Sequence, residues 1–300
     1  MIKGHNRRAA TLVEIAATIT ALVLIVCLVL PVTAQNRTGS RSTRSRANLH
    51  LHGQVLALYA GENRNEVLNP YPGPGETDQF GNSLFWTITP SWGGGSSWLF
   101  FNDSYSYHWG PMIRQYYPDY QLIDVFAAPG DQETYESIDQ LSGVNNWVTD
   151  ISYWYSPTMF YNANRFRNET GGDTLTGAVA ESVTRNRFED MTFPSHKVVL
   201  LEKQDFAVPD KILFSHPDAH VGILFGDSSV GVSDNQLLYD AVNNDPDIMP
   251  SGGNWADPEG LALYHMDNQS SPDELLEDQQ NLYPAFYMWT RRGIQGRDLF

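Results

Sequence analysis

His216 and His220 stand four residues apart in SHPDAHVGILFGDSSVG, with Asp227 close behind. On a helix that spacing puts two imidazoles on one face and begins a metal site. Pro217 opposes the helix and no further histidine lies close in sequence, so the residues predict hydrogen bonds between His216, before a strand, and Asp227, in the turn after it, with no metal. Ser228 follows the apolar run and Gly226-Asp227, where a nucleophile could be held on a sharp turn. The sole later histidine in the sequence is His265. The bland reading is a hairpin in which Val221, Ile223 and Phe225 point inward, residues 226–229 turn, and Val230 and Val232 return. The acidic loop NNDPD (243–247) lacks the D-x-D-x-D-G spacing of a calcium loop, and no cofactor is implied. The fourth group is Glu14, a carboxylate inside the apolar run Leu12 to Leu30, where burial in a bilayer would cost on the order of 2.5–3.5 kcal/mol at mid-depth.

Composition bounds what these groups can serve. The 300 residues, 41% of them hydrophobic, suffice for a sizeable core. The first 46 residues hold seven Lys/Arg against one acid, leaving twelve basic and thirty-four acidic residues beyond. An acidic body of that kind excludes nucleic acid as a partner. The single cysteine, Cys27, lies inside the apolar run, so no disulfide staples the chain and Cys27 reads as an apolar filler. The eight Trp and fifteen Tyr could line a glycan-binding face, although core packing accounts for most of them.

The elements that must position these residues follow from the hydrophobic pattern. Leu12 to Leu30 is long enough to span a bilayer, Pro31 interrupts it, and ANLHLHGQVLALYAGENR resumes helical spacing at Leu49, Leu56 and Tyr59. The pattern predicts one long helix, kinked or frayed around Pro31 and Gly39. NPYPGPGETDQFG (69–81) breaks it and opens a head. There SLFWTIT, SWLFF, YQLIDVF, ISYWYS, KVVLLE and HVGILF read as strands of a mostly antiparallel sheet, and SPDELLEDQQ as a short helix capped by Ser271.

With those segments in place, RRAATLVEIAATITALVLIVCLVLP resembles the N-terminal signature of type IV pilins and type II secretion pseudopilins: a basic leader, a small residue, T-L-V-E, then an apolar helix with a proline well downstream. Ala9 stands where the family has glycine and Ala10 where it has phenylalanine. SRANLHLHGQVLALYAGENRNEVLNPYP is similar to the N-L-x-x-x-G-x-x-L-x-x-Y segment of large-headed pseudopilin-like proteins. FPSHKVVLLE is similar to that branch's P-S-x-x-x-x-x-x-E strand. HPDAHVGILFGDSSVGV resembles its H-x9-DG motif, with ten residues between His216 and Asp227 and Ser228 in place of the glycine. FGDS itself looks like the nucleophile block of GDSL-type esterases, but the D-x-x-H that this resemblance requires is missing: His265 has Ala262 where the acid would stand.

The resemblance implies a type IV pilin-like, α+β protein: a long N-terminal transmembrane and stalk helix packed on a mostly antiparallel sheet head. Residues 1–9 would be a leader peptide, 10–68 the membrane-spanning and stalk helix, and 69–300 an extracytoplasmic head. Ala9 and Ala10 would flank the prepilin peptidase cleavage and methylation point, Glu14 would serve assembly, Pro31 would kink the helix, and His216 and Asp227 would form a structural motif. The implied partners are the inner membrane, the prepilin peptidase and other pilin-like subunits. The implied location is a single-pass inner membrane protein with its head in the periplasm or at the cell surface. The chain is then a structural subunit of a pilus or secretion pseudopilus and no enzyme. Two alternatives from other classes are a secreted or anchored GDSL-type hydrolase, and a glycan-binding adhesin cleaved after Ala34, where PVTA precedes Gln35.

Overall fold

A computed structural model describes residues 12–69, 109–118, 122–141, 151–160, 163, 184–208, 212–214, 216–244, 287 and 292–298; in the first helix, side chains are described at 19–23 and from 38 onward. The chain divides into two compact units, Met1–Ser40 and Arg41–Phe300. Helix α1, Leu12–Glu62, contributes to both and is helical through Pro31 and Gly39.

Among the described residues no helix is long and apolar enough to cross a membrane. This corrects the expected transmembrane helix, and with it the pilin-like fold class, the pilin and membrane assignments and the single-pass inner membrane location that rested on it. Within α1 the described side chains are those at 19–23 and from 38 onward, and the latter run through the polar, basic TGSRSTRSR, which a bilayer core would exclude.

In the second unit, α1 presents a buried stripe at helical spacing: Ser45, Asn48 and Leu49, His52 and Gly53, Val55 and Leu56, then Ala60. The stripe faces a four-stranded antiparallel sheet in the order β1 (Tyr153–Tyr155), β2 (Val198–Glu202), β3 (Gly222–Phe225), β4 (Val230–Val232). Register pairs Trp154 with Leu201 and Leu200 with Leu224, with an irregularity between Val198 and Leu200. Every residue of β1, β2 and β3 is buried, so the alternation expected around Val221, Ile223 and Phe225 is absent: β3 is covered on both faces.

Three helices follow in α2 (Trp109–Ile113), α3 (Leu122–Phe126) and α4 (Gln132–Leu141), and α5 (Asn235–Asn244) succeeds β4. YQLIDVF, expected as a strand, is therefore the helical turn α3. Its buried residues, Leu122, Val125 and Phe126, fall at i, i+3 and i+4, a helical period that the β-branched Ile123 and Val125 obscure. SLFWTIT, SWLFF and the Ser271 cap lie outside the described residues.

Candidate functional site

The residues with unusual environments gather where α1 meets the sheet. Helical spacing brings Ser45, Asn48 and His52 onto one line, and β1, β2 and β3 bring Tyr153, Glu202 and Gly222 opposite. Close approach is allowed by two glycines. A Cβ at Gly222 would lie 2.8 Å from the Leu49 Cδ1 and 3.0 Å from the Glu202 Oε2, and one at Gly53 would lie 2.9 Å from the Leu224 Cδ1. The seam is thus a glycine-permitted contact of helix on strand.

Glu202 is its centre. The Ser45 hydroxyl lies 2.5 Å from the Glu202 Oε1, and the Gly222 N–H donates to the Glu202 Oε2 at 2.5 Å. Ser45 also meets the Tyr153 hydroxyl at 3.0 Å, and the Asn48 Nδ2 donates both to that hydroxyl, at 3.2 Å, and to the Asp124 carbonyl, at 2.8 Å. One carboxyl therefore gathers α1, β1 and β3. Burial pushes Glu202 up to about 7, against the pull of Ser45 and Gly222, with Asp205 raising it further. Burial likewise holds the Tyr153 hydroxyl well above its ordinary range.

One turn on, His52 is fully buried among Trp109, Phe126 and Tyr153, each ring centroid 5.2 Å away. Its tautomer is fixed by its partners. The Val125 carbonyl, 3.1 Å from Nε2, can only accept, so Nε2 carries the proton and Nδ1 accepts from the Tyr117 hydroxyl at 2.7 Å. Burial lowers its pKa to about 3. This is a neutral structural histidine.

Two further buried acids anchor other elements. The Asp131 Oδ1 accepts from the Thr134 N–H at the start of α4, its Oδ2 accepts from the Ser152 hydroxyl at 2.7 Å, and Lys203 approaches to 3.4 Å. Burial pushes Asp131 up, but Lys203, Thr134 and Ser152 together hold it below the ordinary value. Asp298 accepts from the Val198 N–H at 2.6 Å and pairs with the Lys197 ammonium at 3.2 Å, both side chains fully buried. Burial lowers Lys197 while Asp298 raises it, and burial prevails. Segment 292–298 is thereby strapped to the start of β2.

His216 and Asp227 serve two separate turns rather than one bridge. The His216 Nδ1 accepts from the Asp218 N–H at 3.0 Å, while the Asp227 Oδ1 accepts from the Ser229 N–H at 2.9 Å and the Ser229 hydroxyl at 2.5 Å. Among the described residues no group of three His, Cys, Asp or Glu could hold a metal. Ser228 has a φ of 66° and donates its N–H to the Phe225 carbonyl, in a hairpin turn. Ala9, Ala10 and His265 lie outside the described residues, and Glu14 and Pro31 are described only as positions within α1.

Sequence reasoning quoted Asn48, Leu49, Gly53 and Glu202 as motif positions without bringing them together. It missed Ser45, His52 and Tyr153. Ser45 and His52 could have been found from their spacing around Asn48 on a helix. Comparison with known proteins finds no matching family model, curated protein or solved structure.

Proposed function

We propose that this chain is a non-enzymatic, pseudopilin-like structural subunit that assembles with other pilin-like subunits through the N-terminal part of α1. The observation that carries the reading is the exposure of Ile19, Leu22 and Val23, at 58%, 63% and 52%, on a single face of that helix. Large apolar side chains at i, i+3 and i+4 are what one helix buries against another. The seam supports the same reading from the other side. Its polar groups are committed to each other and to backbone atoms, which suits a joint that must hold α1 rather than a pocket that must admit a substrate. The N-terminal signature supports processing between Ala9 and Ala10 by a prepilin peptidase.

The test is disulfide trapping in the full chain. In a Cys27→Ser background, Leu22→Cys is expected to give oxidant-dependent dimers and larger species, whereas a cysteine at the exposed Thr43 gives fewer. Exclusively monomeric Leu22→Cys protein with an intact head would overturn the reading.

A further inference from the structure

Glu202 is a buried carboxyl that faces no cation among the described residues. From α1 it meets Ser45, with Asn48 one step behind; from β1, the Tyr153 hydroxyl reaches it through Ser45; from β3, only the Gly222 N–H; and beyond β2 the one charge acting on it is that of Asp205. The nearest basic groups of these elements are engaged elsewhere. Arg44 pairs with Asp124 at 2.5 Å, Lys203 lies by Asp131, and His52 is held neutral by Tyr117 and Val125.

We propose that Glu202 is a proton-operated latch on the helix–sheet seam, holding α1 most firmly when its carboxyl is protonated and loosening the Ser45–Gly53 turns as the carboxyl ionises. The geometry serves both states unequally. A protonated Oε1 donates to the Ser45 oxygen, whose own proton turns to the Tyr153 hydroxyl, a contact in which either oxygen can donate. The Gly222 N–H continues to feed Oε2. After ionisation Ser45 must turn back to the carboxylate, and the charge is left with two short bonds, no counter-ion and the Asp205 carboxylate nearby. Detachment of α1 would return that charge to water.

Support comes from the carboxyl itself, raised by burial from an ordinary 4.5 to about 7. The sign follows from proton linkage. Between those values the closed seam holds a proton that the open seam has released, so closure weakens with rising pH, by about tenfold per unit within the window, and is strongest on the acid side. The latch is independent of the assembly reading, and either can fail alone.

The experiment is amide hydrogen exchange of the full chain, wild type against Glu202→Gln, at about pH 5.5, 6.5 and 7.5, corrected for intrinsic exchange. His52 is common to both proteins, so the ratio of protection at Leu49–Gly53 isolates Glu202. The expected ratio of wild type to variant falls about tenfold per pH unit up to about pH 7 and then levels. A ratio constant with pH overturns the latch. Should the variant fail to fold, the infrared carbonyl band of a protonated buried acid is read in the wild type. The latch requires that band at about pH 6 and its loss by about pH 8.5; its absence at the lower pH overturns the proposal.

Discussion

At the scale of single residues, Glu202 and His52 share a seam and respond to acid in opposite directions. His52 is neutral when folded and its pKa drops from 6.5 to about 3, so the stability it lends is complete above 6.5 and is lost as pH falls toward 3. Glu202, raised from 4.5 to about 7, lends stability that is complete below 4.5 and is lost as pH rises toward 7. Between 4.5 and 6.5 the two slopes offset, and wild-type thermal stability should be nearly level there and fall below it, where Asp131 also begins to lose its charge. Glu202→Gln removes one slope, so its melting temperature should decline steadily as pH is lowered through that same window. Parallel wild-type and variant curves would show that Glu202 does not titrate there. A second residue prediction concerns the hairpin. Asp227→Ala removes the acceptor of two Ser229 bonds and should cost about 1 kcal/mol in denaturant unfolding. Ser228→Gly, by relieving a left-handed φ of 66°, should stabilise by about 0.5–1 kcal/mol, and no Ser228 substitution should alter any ester hydrolysis.

At the scale of elements, the sequence disclosed types better than contacts. β2, β3 and the hairpin that joins β3 to β4 were legible because β-branched and aromatic runs are bounded by turn residues, and the docked half of α1 because its stripe has a helical period. The turn α3 was not legible, since LIDVF is five residues long and period cannot be judged over so short a run. Glycine is equally ambiguous in sequence. Gly53 and Gly61 look alike in LHLHGQVLALYAGE, yet a Cβ at Gly53 would meet Leu224 at 2.9 Å while one at Gly61 meets nothing within 4 Å. Gly61→Ala should therefore stabilise by up to about 1 kcal/mol through helix propensity. Gly53→Ala should be net destabilising, because overpacking at about 1–3 kcal/mol exceeds that gain. The C-terminal strap gave no sequence signal, as Lys197 and Asp298 are 101 residues apart. Asp298→Asn takes the carboxylate away from the buried Lys197 ammonium and the Val198 N–H, and chemical denaturation should register a loss of about 3–5 kcal/mol. A loss below 1 kcal/mol would mean that other groups hold the ammonium.

At the scale of the whole molecule, the boundary between the two units at Ser40 and Arg41 places Ser45, Asn48 and His52 inside the head. A fragment beginning at Ala47 would omit the Ser45 hydroxyl that meets Glu202. Residues 41–300 should fold cooperatively and remain monomeric, whereas 47–300 should be less stable, a difference that calorimetry resolves. The long-range half of the seam was invisible beforehand because Ser45 and Glu202 are 157 residues apart, and only the fold pairs them. The N-terminal unit poses the remaining question, that of Glu14. If processing leaves Ala10 as the first residue, its amino group is a cation four residues before Glu14 in its own chain, and in a staggered bundle the same carboxylate could meet the amino group of a neighbouring subunit. Between packed apolar helices such a pairing is far stronger than at a surface, and leaving either charge alone costs several kcal/mol, on the order of 3–5 kcal/mol. Under the proposed assembly, an acid placed there would set register between subunits. Mass spectrometry of the mature chain should find a methylated Ala10 at its start. Glu14→Leu should leave the seam and head intact by hydrogen exchange, since the carboxylate belongs to the other unit, while lowering recovery of crosslinked multimers at matched protein levels. Undiminished multimers from Glu14→Leu would reduce the residue to a tolerated acid in the first turn of α1, and assembly would then have to rest on Ile19, Leu22 and Val23 alone.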